Sequence, residues 1–154
     1  MKATTALTCA FLAGLQLVGA VPAPAANAAQ QVSVSYDTNY DIKGASIDTV
    51  ACADGENGLK GRGYSTLGSL PKFPLIGGAL TIPGTNSPNC GKCYQLHYAS
   101  GTVDKTINVL AVDTAPGGFN IGLEAMNQLT DGSAEQLGRV DATYVEVEES
   151  LCGM

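Results

Sequence analysis

Four cysteines constrain this chain more than any other feature. Of the five in the sequence, Cys9 lies in an apolar N-terminal stretch, which leaves Cys52, Cys90, Cys93 and Cys152 for the folded domain. Lys2 precedes an uncharged apolar run over residues 6–19, and small residues follow. That is the pattern of a secretory signal, residues 1–20, with cleavage after Ala20 or further on, up to about residue 29. The run is shorter than the roughly 20 residues a spanning helix needs, and no second apolar segment follows, so membrane insertion is not expected. Residues 21–31, with Pro22, Pro24 and several alanines, read as a flexible spacer before one domain over 32–154.

In an oxidising compartment four cysteines imply two disulfides, with three connectivities open. The Cys90-Gly91-Lys92-Cys93 spacing has rival readings. A redox dithiol needs a helix starting at the first cysteine, but residues 94–98 read as a strand. A zinc site needs a second ligand pair, and Cys52 and Cys152 stand alone, with His97 the only histidine. The expectation is structural: two long-range bridges, one from each of Cys90 and Cys93, with no metal and no cofactor.

The remaining segments read as mainly β. Alternation in Val32-Ser33-Val34-Ser35-Tyr36 predicts a half-buried strand. Residues 47–52 predict a short second strand, and residues 69–78, with two prolines and Gly77-Gly78, an irregular loop. Residues 94–99, 105–113 and 139–147 predict three longer strands, the middle one carrying the nearly continuous apolar run Ile107, Val109, Leu110, Ala111 and Val112, consistent with a central strand. One helix is expected over 121–129, with Asn120 as its N-cap and Leu123, Met126 and Leu129 on its apolar face. With Lys2 gone, seven basic residues face 14 acidic ones. An acidic surface without a basic cluster argues against nucleic acid and anionic membranes as partners.

Chemistry-bearing patterns are sparse. No nucleophile elbow and no phosphate loop appear. Glycoside hydrolysis requires two carboxylates in contrasting settings, and only Asp113 emerges from an apolar run. Asp113 either caps the turn at 114–118 or contacts a ligand, and the two roles are compatible. Glu56, Asp54 and Asp141 lie in turns or beside Arg139, where a solvated or salt-bridged role is expected. Sugar recognition uses amide and carboxylate groups for hydroxyls and aromatic faces for C–H surfaces. Asn57, Tyr64, Asn86, Asn89, Asp113 and Asn120 are the material for it, with Tyr36 and Tyr40 near the N-terminus.

A family resemblance is carried by ordered blocks along the whole domain. They begin with Val32 to Asp37, Tyr40, and Val50-Ala51-Cys52-Ala53-Asp54-Gly55 followed by Asn57-Gly58-Leu59. They continue through Thr66-Leu67-Gly68, Phe73 to Gly78 and Asn86 to Cys93. They close with Val112-Asp113, Gly117 to Asn120, Gly138 to Ala142 and Cys152. Together these resemble the cerato-platanins. The resemblance implies a single six-stranded double-ψ β-barrel, similar to the first domain of expansins, with one or two short helices. It implies the pairing Cys52–Cys90 and Cys93–Cys152, and it places the family's groove aspartate and asparagine on Asp113 and Asn120.

The same resemblance implies a secreted, non-catalytic protein of the fungal wall and medium. Its implied partners are chitin or N-acetylglucosamine oligomers, cellulose, which it loosens without hydrolysis, and plant immune receptors. It is expected to be mainly monomeric. A weak polysaccharide-cleaving enzyme and a self-assembling surface protein, the latter with an apolar patch over 67–80, are the alternative readings. The chain departs from the family in having no Trp, with Tyr94 and Thr85 where many members carry one.

Overall fold

A computed structural model of the chain describes residues 28–154. The expected signal segment lies outside the described residues, as does most of the spacer. Six strands form β1 (Gln30–Tyr36), β2 (Ile76–Ala79), β3 (Cys93–Ser100), β4 (Val103–Thr114), β5 (Phe119–Ile121) and β6 (Arg139–Val147). They close into a barrel in the order β1-β5-β2-β4-β3-β6. The pairs β1/β5 and β2/β4 are parallel and the other four antiparallel. Closure leaves no strand edge exposed along the sheet. The six-stranded barrel expected from the family resemblance is therefore present.

Period-2 patterning decides which side chains enter. Val34, Val140 and Phe119 face one another across β1, β6 and β5 and are buried. Their neighbours Ser35, Arg139 and Asn120 form the next row, outside. Tyr94, Phe119 and Tyr144 meet edge to face at the centre, with ring centroids 5.3 to 6.1 Å apart. Such pairs add about 1 kcal/mol each beyond area burial.

Both disulfides form as the family resemblance implies: Cys52–Cys90 and Cys93–Cys152, with Cα atoms 5.4 and 5.6 Å apart. They close loops of 38 and 59 residues, each restricting the unfolded chain by about 4 kcal/mol in the chain-entropy treatment.

Three sequence expectations are corrected. Residues 47–52 are not a strand. Ser46 caps a 3-10 turn at Ile47–Thr49, its hydroxyl accepting from the Asp48 N–H at 3.2 Å. Ile47, Val50 and Cys52 are separate anchor points in the core rather than one face of a ladder. Residues 69–78 are irregular only at first, because Ile76 opens β2. There Gly77 and Gly78 let three strands approach closely. A Cβ on Gly77 would collide with the Asn120 carbonyl oxygen, and one on Gly78 would lie 2.6 Å from that of Thr114.

The third correction concerns Asn120. It belongs to β5, and the helix α1 (Leu123–Leu129) is preceded by Gly122, which offers no side-chain cap. Asp41 supplies the cap from a distant loop: its carboxylate accepts from the Leu123 N–H at 2.6 Å and the Glu124 N–H at 3.1 Å. Ala125, Met126 and Leu129 are the buried face of α1, and Leu123 is half-buried. A one-turn helix α2 (Ala134–Leu137) follows. The proposed apolar patch over 67–80 is largely internal, with Leu67, Leu70, Ile76 and Ala79 buried and Leu80 39% exposed.

Candidate functional site

Asp113 stands where β4 breaks register. Gly77 pairs with Ala111 and Gly78 with Asp113, so Val112 is an extra residue, and such a bulge re-aims the side chain beside it. The Asp113 Oδ1 accepts from its neighbour Thr114 N–H at 2.8 Å and from Ala51 N–H at 2.9 Å. The Tyr40 hydroxyl donates to Oδ2 at 3.0 Å. One of the three donors is the next backbone amide, which still belongs to β4; the turn beyond it is held by backbone carbonyls, Ala115 N–H donating to Ala79 at 3.2 Å and Gly118 N–H to Ala115 at 3.0 Å. Cys52 N–H donates to the Val112 carbonyl at 3.1 Å, so the disulfide to Cys90 pins the segment that feeds Ala51 to the carboxylate.

This carboxylate lies in a cleft of about 370 Å³, walled by Asp37, Asn39, Tyr40, Ile42 and Thr49. The wall follows from local chemistry. Asp37 caps a 3-10 turn at Thr38–Asp41, its Oδ1 accepting from Asn39 N–H at 2.9 Å. That turn delivers Tyr40 inward to Asp113 and Asp41 sideways to α1. Burial pushes the Tyr40 phenol well above the ordinary tyrosine value, and the charge and hydrogen bond of Asp113, then the charge of Asp37, push the same way.

The remaining sugar-contact candidates do not share this cleft. Asn120 lines a second hollow of about 450 Å³ with Ser35, Thr114, Gly117, Gly118 and Arg139. Its Oδ1 accepts from the Ser35 hydroxyl at 3.0 Å. Tyr64 borders a third hollow beside Asp48 and Lys60. Asn57 is tied to another loop, its N–H donating to Asn86 Oδ1 at 2.9 Å and its Nδ2 to the Asn86 carbonyl at 3.0 Å. Asn89 likewise holds a loop, donating to the Thr81 carbonyl at 2.6 Å.

Of the other acids, Asp54 pairs with Lys60 at 3.0 Å, as its turn position suggested. His97 is surface-paired with Asp104 at 2.8 Å. Sequence reading passed over Asp37, Asn39 and Thr49 as cleft residues. The Asp37-x-Asn39 spacing, which signals a side-chain-capped turn, was the available clue.

Comparison with known proteins bears on the family and the fold. The family model described as cerato-platanin matches residues 32–154. The chain is 51% identical over 153 residues to the Allergen Asp f 15 of Aspergillus fumigatus, covering 99% of this chain and 97% of that protein. It is 41% identical over 130 residues to cerato-platanin of Ceratocystis fimbriata f. sp. platani, covering 84% and 92%. Among solved structures, cerato-platanin 2 from M. perniciosa superposes with a TM-score of 0.78 at 42% identity, covering 81% of this chain and all of that one. The solution structure described as the fungal elicitor Cerato-Platanin gives 0.66 at 39%, covering 79% and 96%. A family match over the entire barrel, relatives this similar and the same closed six-stranded fold lead to one conclusion: the chain belongs to the cerato-platanin family.

Proposed function

We propose that this chain is a secreted, non-catalytic binder of chitin-type oligosaccharides, with cellulose as a further polysaccharide ligand and the fungal wall and medium as its location. The observation that carries the reading is Asp113, half-exposed at the cleft yet fixed by three donors from three separate segments. A rigidly held carboxylate beside an open hollow suits hydroxyl and amide N–H recognition, because nothing must be ordered on binding. Wall loosening is part of the proposal, as is perception by plants, which the relative described as a fungal elicitor supports.

A hydrolytic reading is less well supported. Asp37 is the other carboxylate of the cleft, and it too is engaged by a backbone amide as a turn cap. Both acids thus hold the backbone in place, whereas hydrolysis asks one of them to deliver a proton to substrate. Among the described residues no helix is long and apolar enough to cross a membrane.

The test is an NMR titration with N-acetylglucosamine oligomers of increasing length. Binding should perturb the amides of residues 37–51 and 113–114. Asp113→Asn should retain the fold and weaken binding. Unchanged affinity in both Asp113→Asn and Asp113→Ala, each shown to be folded, would remove Asp113 from the site. New reducing ends from cellulose would overturn the non-catalytic part.

A further inference from the structure

The second hollow has a charge opposite to that of the molecule around it. The chain carries a net charge of −6. Yet among the described residues Arg139 is the single charged one bordering this hollow, and no carboxylate lines it. Arg139 forms no ion pair among the described residues. Its Nη1 donates to the Ser33 hydroxyl at 2.8 Å, which orients the guanidinium and leaves its other N–H groups without a protein acceptor among the described residues. Asn120 is half committed in the same way: its Oδ1 takes the Ser35 hydroxyl, and its Nδ2 donates to no described residue.

Strand register runs from this hollow toward the cleft, but the exposed surface ends at Gly78. Arg139 pairs with Ser35, Ser35 with Asn120, Asn120 with Gly78, and Gly78 with Asp113. These five residues therefore form one row across β6, β1, β5, β2 and β4. Cross-strand partners share a face, and Arg139, Ser35 and Asn120 are all at least partly exposed, whereas Gly78 is buried beneath Thr114 and Ala115. Two strand spacings of about 4.8 Å give the exposed part of the row a length of roughly 10 Å. It has a cation at one end and a half-engaged amide at the other.

We infer that the Arg139 hollow is an acidic-sugar subsite, taking the carboxylate of a uronate residue in an oligosaccharide whose adjoining residue lies along Ser35 and Asn120. A guanidinium fork matches a planar carboxylate through two parallel N–H donors, and the free Asn120 amide adds a third donor nearby. The inference rests on the oligosaccharide-binding reading above and sharpens it from neutral sugars to a uronate at a defined position. Steering by the molecule's overall charge opposes long polyanions, so the ligand is one with isolated uronates rather than a uniform polyuronate.

The experiment compares two tetrasaccharides, one of N-acetylglucosamine alone and one alternating N-acetylglucosamine with glucuronate, by calorimetry and amide shifts. The wild-type chain should bind the acidic one more tightly, with shifts extending to Ser35, Gly117, Gly118 and Asn120, and added salt should narrow the gap. Arg139→Gln should lose about three- to fivefold of affinity for the acidic tetrasaccharide, while the neutral one changes less than twofold. Arg139→Lys, which keeps the charge without the fork, should fall between. Equal losses for both sugars, or an acidic tetrasaccharide that binds Arg139→Gln as tightly as wild type, overturn the inference and leave neutral binding standing. Absence of binding to either sugar in the wild type overturns both.

Discussion

The Tyr40 hydroxyl and the Asp113 carboxylate, 73 residues apart in the chain, meet at 3.0 Å and tie the cleft wall to the barrel. Their removal should not be equivalent. Tyr40→Phe deletes one hydrogen bond, a loss of about 1 kcal/mol. Asp113→Ala strands the Tyr40 hydroxyl and two backbone amides, and leaving a buried donor unpaired costs about 1–3 kcal/mol. Urea unfolding of the two single variants and the double variant should show Asp113→Ala as the more damaging. It should also show a total smaller than the sum, because the pair is coupled.

Alkaline conditions should expose the same pair. The folded chain holds the Tyr40 proton to a higher pH than the unfolded chain, whose tyrosines ionise near 10. Burial shifts Tyr94 in the same direction. Above pH 10 the unfolded state therefore binds fewer protons than the native state, and stability falls as pH rises. Below that pH these two groups add no pH dependence. Tyr40→Phe should make the alkaline decline in unfolding midpoint shallower. An unchanged slope would mean that Tyr40 ionises alike in both states.

Asp41→Ala should destabilise the chain by about 1 kcal/mol, the usual cost of a lost helix cap, although residue 41 lies outside the helix it serves. Hydrogen exchange would localise the effect. Protection should fall at the Leu123 and Glu124 amides while β3 and β6 stay protected.

The two disulfides should differ in what they support. Replacing Cys93 and Cys152 by Ala should cost stability and spare the cleft. Replacing Cys52 and Cys90 should also release the strip that brings Ala51 to Asp113. Oligosaccharide affinity, measured on folded protein, should drop in the second variant and hold in the first. Equal affinities in the two variants would uncouple Cys52–Cys90 from the site.

The barrel was legible wherever patterning was strong. Val32 to Tyr36 alternate, Ile107 and Val109 to Val112 make an apolar run, and Arg139–Val147 is a strand as read. The short strands were hidden by their composition. Ile76–Ala79 contains two glycines, which ordinarily mark loops, and here they are required by the close crossing of β4, β2 and β5. Asn120 looked like a helix cap because its residue type favours that role, but tertiary pairing with Ser35 and Gly78 placed it in β5. Asp113 could be singled out from its position after an apolar run. Its pairing with Tyr40 and Ala51 could not be read, since both reach it through loops with no periodic signal.

The β1/β6 ladder, Gln30 against Tyr144 through Ser35 against Arg139, has a consequence for how the chain reaches its native state. The first strand in sequence waits for the last before the ring can shut. Pairing between such distant segments makes folding slow relative to chains dominated by local contacts. Until β6 arrives, β1 and β3 each present an unpaired edge of the kind that promotes aggregation. A chain truncated before Arg139 should therefore be lost to precipitation rather than survive as a looser version of the same protein.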